Sequence, residues 1–376
     1  MVAEPFFLPR ERFQSLLNCI SDHGYQCIGP QLRDGAILYA PFTSFDALPI
    51  GIRDTQKPGE YRVQQYGDQR FFAWANGPQA LKPLFFAPEE SMWRAQKSEK
   101  GFVVEALLPE VKSLAVIGVR ACDLAALKIQ DRIFLQGDYI DPYYARRRES
   151  LLLVSVNCTH SASTCFCVSA GDGPKCNSGF DISLSELDDG FVVQVGSDVG
   201  QIILAELHLS QATHEQITGA HLAIEHAATS QTRSLPGGDL RQALFANLNN
   251  DRWVNVAERC LSCGNCTQVC PTCFCHAEEE VPALNGKSST HIRQWDSCFS
   301  EGHGYIHGLQ TRPETIHRYR QWLTHKLGSW HDQFGTSGCV GCGRCMTWCP
   351  AGIDMVEEVN EICGGDRFWQ LGEGAL

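Results

Sequence analysis

The sequence predicts an α/β N-terminal region built on a mixed sheet, followed by a mostly α-helical C-terminal region rich in cysteine. Three observations carry this prediction. Two short apolar runs, Ser113–Val119 and Leu151–Val156, flank a stretch of helical periodicity, the pattern of a parallel βαβ unit. Residues 10–23 place Phe13, Leu16, Leu17 and Ile20 on one helical face, with Pro9 ahead and Gly24 behind. Nineteen cysteines are present, many of them spaced two or three residues apart in the last third of the chain.

In chain order, residues 36–41 and 61–75 alternate loosely among turn residues and predict strands. The buried strand Ser113–Val119 (SLAVIGV) is followed by a helix from about Asp123 and then by the strand Leu151–Val156 (LLLVSV). Residues 171–179 (GDGPKCNSG) form a loop, and Phe191–Val195 with Gln201–Leu204 predict a hairpin turning at GSDVG. Residues 205–249 are helical apart from a break at Pro236-Gly237-Gly238, where a boundary is expected between a unit 1–238 and a unit 239–376. Within the second unit, residues 276–338 are an insertion between two cysteine clusters.

The bulk composition narrows the class. With 376 residues, 43% hydrophobic and 20% charged, the chain can fill a core in each of two units. A formal net charge of -12 argues against nucleic acid, which needs clustered Lys and Arg. The apolar runs fall short of the roughly 20 residues a membrane span needs. The start, MVAEPFFLPRERF, lacks a basic segment followed by an apolar one. A soluble, cytoplasmic protein is therefore expected, and closely spaced thiols in it suit a metal better than disulfides.

Cys260, Cys263, Cys266 and Cys270, followed by Pro271, form C-x2-C-x2-C-x3-C-P, and Cys339, Cys342, Cys345, Cys349 and Pro350 repeat it. Three thiolates at that spacing wrap one face of an iron–sulfur cube, while the fourth points to a second cube. The C-terminal unit is thus expected to be ferredoxin-like, with two [4Fe–4S] clusters. One would take Cys260, Cys263, Cys266 and Cys349, the other Cys339, Cys342, Cys345 and Cys270. Structural zinc is the alternative, but it draws C-x2-C pairs, often with His. Cys273, Cys275 and Cys298 read as buried thiols beside these clusters, and Cys19, Cys27 and Cys363 as core residues. His303 and His307 read as structural or solvent-facing.

A further set, NC-x6-CFC, supplies Cys158, Cys165 and Cys167 directly after a buried strand. It is one ligand short of a third cluster. Cys176 lies nearby on a glycine-rich loop, whereas Cys122 follows the other apolar strand in VRACD. Parallel neighbours would bring Cys122 and Cys158 to one carboxyl edge, which favours Cys122. Free buried thiols are the plainer alternative. No G-x-G-x-x-G follows a strand, and there is no G-x4-G-K-[ST], Ser/His/Asp signature or paired-carboxylate pattern. Clusters without a substrate site point to an electron carrier rather than a self-contained enzyme.

The blocks VRACDLAAL, NC-x6-CFC-x-S-x-G-x-GP, GFDISLSEL, CLSCGNCTQVCPTCFC, WDSC, RYRQWLTHK and CVGCGRCMTWCP span about Val119 to Ile353. This combination resembles the iron–sulfur β subunit of soluble, cytoplasmic multisubunit [NiFe]-hydrogenases of the sulfhydrogenase type. The iron–sulfur component of anaerobic sulfite reductase is similar over the same blocks. The resemblance implies a non-catalytic relay between a flavin subunit that handles NAD(P)H and the small and large [NiFe]-hydrogenase subunits. The same relay in sulfite reduction is the second reading, and an enzyme with a catalytic third cluster is another. The family pattern keeps the R-x-C-D cysteine with the NC and CFC thiols, a second reason to prefer Cys122.

Overall fold

The computed structural model describes residues 4–79 and 81–364. The strands of the two large sheets and of one hairpin run in chain order. They begin with β1 (Phe6–Pro9), β2 (Gln26–Arg33), β3 (Ala36–Pro41), β4 (Ile52–Lys57) and β5 (Glu60–Gln65). Next come β6 (Glu89–Ser98), β7 (Gly101–Ala106), β8 (Leu114–Val119), β9 (Leu151–Val156) and β10 (Ile182–Glu186). The last are β11 (Gly190–Val195), β12 (Ser210–Gln211), β13 (His276–Pro282) and β14 (Ser288–Trp295).

The main sheet has the order β12-β1-β11-β10-β9-β8-β2-β3. Its centre is parallel, β10 on β9 on β8 on β2, and antiparallel strands complete both sides. The helices Ala121–Leu135 and Pro142–Glu149 make the connection from β8 to β9, so the expected βαβ unit is present. Every residue of β9 is buried, as a strand covered on both faces must be. Leu152, Val154 and Val156 pack with Phe13, Leu16 and Leu17 of the helix Phe13–Asp22, while Leu151 and Leu153 pack with Phe85, Leu124 and Tyr144 on the other side.

β8 follows the same alternation until Gly118, where its register against β9 slips between Ile117 and Val119. Gly118 has φ +88°, and a Cβ there would stand 3.0 Å from the Phe72 ring. The bulge re-aims the chain just before Arg120-Ala121-Cys122.

Three expectations need correction. Residues 198–206 form a helix, not the second arm of a hairpin. Ser197 accepts from the Gly200 amide as an N-cap, and Ile203, Leu204 and Leu207 are buried. The true partner of β11 is β10, paired from Ile182↔Val195 to Glu186↔Phe191. The strand expected over 61–75 stops at Gln65. Beyond it, Phe71, Phe72 and Trp74 enter the core in irregular backbone, and the buried Glu186 carboxylate accepts the Phe71 and Phe72 amides at 2.6 and 2.9 Å. Finally, residues 276–295 are a β-hairpin, and β13-β14-β6-β7 is a four-stranded antiparallel sheet drawn from both ends of the chain.

The rest of the C-terminal region is mainly helical. The helices Arg252–Arg259, Thr315–Thr324 and Met355–Cys363 bury Trp253, Val256, Trp322, Leu323, Val359 and Ile362 in one core. Between Thr315–Thr324 and Trp330–Phe334 the helix widens into a π-turn over His325–Ser329. Among the described residues no helix is long and apolar enough to cross a membrane.

Candidate metal centres

The two C-x2-C-x2-C-x3-C-P segments share one local construction. In each, a left-handed glycine starts a single helical turn: Gly264 (φ +72°) before Asn265–Gln268, and Gly343 (φ +76°) before Arg344–Thr347. The two turns pack together, and the Asn265 side-chain amide donates to the Trp348 carbonyl. This pairing brings each fourth cysteine to the other motif. Cys260, Cys263, Cys266 and Cys349 line one cavity, with Cys345 at its wall. Cys270, Cys339, Cys342 and Cys345 line a second.

The surroundings of the two cavities differ. Phe299, Tyr319, Trp322, Ile353 and Met355 close the first, which has Cys263 at its solvent-exposed side. Phe166, Thr272, Val340 and Lys326 wall the second. Burial pushes the Cys266 and Cys345 thiols well above the ordinary value, with neighbouring thiols adding to the effect. Burial likewise drives Cys339 up to about 12, against the pull of Lys326. Cys270 goes the other way, held well below the ordinary thiol value by a hydrogen bond from Cys273, then by Lys326 and Thr272.

The donor sets fit iron–sulfur cubes and not single zinc ions. Tetrahedral zinc with Zn–S near 2.3 Å holds its sulfurs about 3.8 Å apart. Among the described residues, however, the only three or more His, Cys, Asp or Glu groups with ligand atoms within 4.8 Å of one another are Cys19, His23 and Glu206. That trio is joined by hydrogen bonds, from Cys19 Sγ to Glu206 Oε2 at 3.3 Å and between His23 and Glu206 at 2.9 Å. The thiols of the two cavities stand wider apart, around space for a larger group.

The third set gathers at the carboxyl edge of β8 and β9. Cys122 lies in the first turn after the Gly118 bulge, and Cys158 follows β9. The segment Thr164–Cys167 is pinned from behind by the second ferredoxin motif. The Phe166 amide donates to the Gly341 carbonyl at 2.9 Å, and Thr164 and Thr347 share a hydrogen bond at 2.8 Å. A Cβ on Gly341 would fall 2.6 Å from the Phe166–Cys167 backbone, and one on Gly343 would fall 2.3 Å from the Thr164 carbonyl oxygen. Only glycine allows that approach.

The charge environment orders these thiols. Burial raises Cys165 and Cys167, and the Cys158 thiol raises both further. Cys122 is raised by burial and then by Asp123, and it is also influenced by Cys342 and Cys167. Cys176 feels Cys158, but it sits in the apolar layer with Leu124, Leu127, Phe134 and Leu153. Its amide donates to Asn157 Oδ1 at 2.7 Å, which ties the glycine-rich loop to the end of β9. Cys122 thus packs beside Cys342, and Cys176 lies in the apolar layer within reach of Cys158.

Sequence reasoning missed the buried charges among these groups. Arg120 donates to the Phe72 and Trp74 carbonyls at 2.9 and 2.6 Å and lies over the Trp74 ring. Arg344 pairs with Asp123 at 2.9 Å, both side chains about 1% exposed, between Cys122 and Cys342. Lys326 touches Cys270. Their signal was a lone charge inside a cysteine motif or an apolar helix, as in RACD, GRC and LTHKL. Cys273, Cys275 and Cys298 are partly buried close by, with Cys275 against His303, whose other nitrogen bonds Asp296 at 2.7 Å.

Comparison with known proteins agrees with this construction. The 4Fe-4S dicluster domain family matches residues 259–353. The sulfhydrogenase 2 subunit beta of Pyrococcus furiosus is 34% identical over 290 residues, covering 76% of this chain and 83% of that protein. No solved structure matches the chain. An iron–sulfur, electron-transferring dicluster domain joined to an α/β unit, with that identity over most of both chains, places this protein in the family of sulfhydrogenase β subunits.

Proposed function

We propose that this chain is the electron relay of a soluble, cytoplasmic hydrogenase-type complex. It would stand between a flavin subunit that handles NAD(P)H and the small and large [NiFe] subunits. The observation that carries the reading is the pair of adjoining cavities that share Cys345, each lined by three cysteines of one motif and the fourth cysteine of the other. In this proposal Cys260, Cys263, Cys266 and Cys349 hold the first [4Fe–4S] cluster, and Cys270, Cys339, Cys342 and Cys345 the second. Cys122, Cys158, Cys165 and Cys167 hold a third. When bound, such clusters store and pass single electrons.

The residues of the chain bind and insulate these groups. Phe299, Tyr319 and Trp322 keep water from the inner side of the first cavity, and Phe166 walls the second where the CFC segment meets it. Arg344 and Asp123 neutralise each other in the low-dielectric gap between Cys342 and Cys122, so neither charge is left unpaired there. The division into units 1–238 and 239–376 is part of the same proposal, and the shared sheet β13-β14-β6-β7 makes them interdependent.

The test is anaerobic purification of the native complex, with nickel, flavin and sirohaem measured. The expected companions of the chain are a large subunit bearing nickel and a second one bearing flavin. A sirohaem protein in their place would move the relay to sulfite reduction. Hydrogen evolution, NAD(P)+ reduction or sulfite reduction by the isolated, cluster-loaded chain would replace the relay with a self-contained enzyme.

A further inference from the structure

Lys326 is the one cation that reaches a ligand of either proposed ferredoxin-like centre through a hydrogen bond among the described residues. Its side chain is 6% exposed, and Nζ donates to Cys270 Sγ at 3.3 Å, Thr272 Oγ1 at 2.9 Å and the Gly338 carbonyl at 3.2 Å. All three donors of the ammonium are thus used. Its neighbouring charged groups are the thiols Cys270, Cys273 and Cys339 together with the buried Lys82, and it has no carboxylate partner among the described residues.

The backbone is arranged to deliver this side chain. Lys326 lies in the π-turn His325–Ser329, and its carbonyl accepts the Gly338 amide at 2.8 Å, just ahead of Cys339. A π-turn shifts the register of a helix and is often kept where a side chain must be aimed. The Lys326 backbone and side chain therefore both hold the segment that enters the second motif. The first cavity has no counterpart among the described residues, where no Lys or Arg lines it.

A cube held by four thiolates is anionic, and one charge more negative after it accepts an electron. A fixed cation at a ligand sulfur therefore favours the reduced state, and burial strengthens the effect because little water screens it. We propose that Lys326 is the potential-setting residue of the centre held by Cys270, Cys339, Cys342 and Cys345, raising that centre's reduction potential selectively. This rests on the relay reading and deepens it. The chain then holds its electron preferentially beside Lys326, next to the CFC segment.

The experiment is a redox titration of the cluster-loaded full chain followed by EPR, comparing the native protein with Lys326→Met, Lys326→Gln and Lys326→Arg. In the neutral variants one step should move to lower potential by at least a tenfold change in the oxidised-to-reduced ratio, about 59 mV for one electron. The remaining steps should stay in place, and Lys326→Arg should keep the native value. Two neutral variants that retain all their iron with every step unmoved would overturn the proposal, as would steps that all move together. Loss of the second centre's iron in both neutral variants, with the Arg variant normal, would make the residue structural and overturn it equally. A native chain with no low-potential iron–sulfur steps would instead refute the relay reading itself.

Discussion

Cys349 lies 89 residues from Cys260 in sequence, yet the two share a cavity wall. The exchange predicts a specific mutational pattern. Cys349→Ser should abolish the same EPR signal as Cys260→Ser, and spare the signal lost in Cys339→Ser. If Cys349→Ser and Cys339→Ser removed the same signal, each motif would be closing its own cluster. This part of the site was legible in the sequence because the C-x2-C-x2-C-x3-C spacing encodes it directly. The buried charges were not, because a lone Lys or Arg in LTHKL or GRC is as compatible with an exposed head as with the buried one found at Lys326 and Arg344. Only tertiary packing removes their heads from water, leaving sulfur, hydroxyl and carbonyl partners for Lys326 and the Asp123 carboxylate with the Gly77 carbonyl for Arg344. The parallel neighbours that precede Cys122 and Cys158 were reachable because both strands are short and apolar. Cys122 and Cys176 both lie among apolar side chains, and Cys122 is the fourth ligand in the proposed third centre.

At the level of elements, the β8 bulge is what turns a strand end into the turn that carries Cys122. Gly118→Ala should cost about 1–2 kcal/mol in backbone strain from its positive φ. A further cost should come from the Phe72 contact. The expected readout is a lowered unfolding midpoint together with loss of about one cluster's iron, since Cys122 follows directly. An unchanged iron content in a destabilised protein would separate the bulge from the third centre. The central strands were readable because β8 and β9 are short, apolar and fully covered. GSDVG misled because Ser and Asp serve a helix N-cap as readily as a turn, and Ser197 does the former. The β13–β14 hairpin hid behind Glu278, Glu279 and Glu280, whose charges suit an edge strand but disguise its alternation.

For the whole molecule, the two units expected on either side of residue 238 are fastened at several places, the Arg344–Asp123 pair and two backbone contacts among them. One of these contacts is the sheet β13-β14-β6-β7, and the other is the close backbone contact of Gly341 and Gly343 with Thr164–Cys167. The cluster-loaded chain should therefore unfold in a single cooperative transition by calorimetry. Two resolved transitions would show that the fastenings are weak. Thiolate ligation stores folding free energy, so removal of iron and sulfide should lower that transition and broaden it. Burial favours the neutral thiol at Cys266, Cys339 and Cys345, and bound iron is what the account supplies to reverse that preference. The most direct test is therefore the metal content itself, measured as iron, acid-labile sulfide and zinc in anaerobically purified full-length chain. About twelve irons and as many sulfides per chain are expected, from the three proposed [4Fe–4S] clusters, with negligible zinc. Zinc in place of iron, with no acid-labile sulfide, would contradict this expectation.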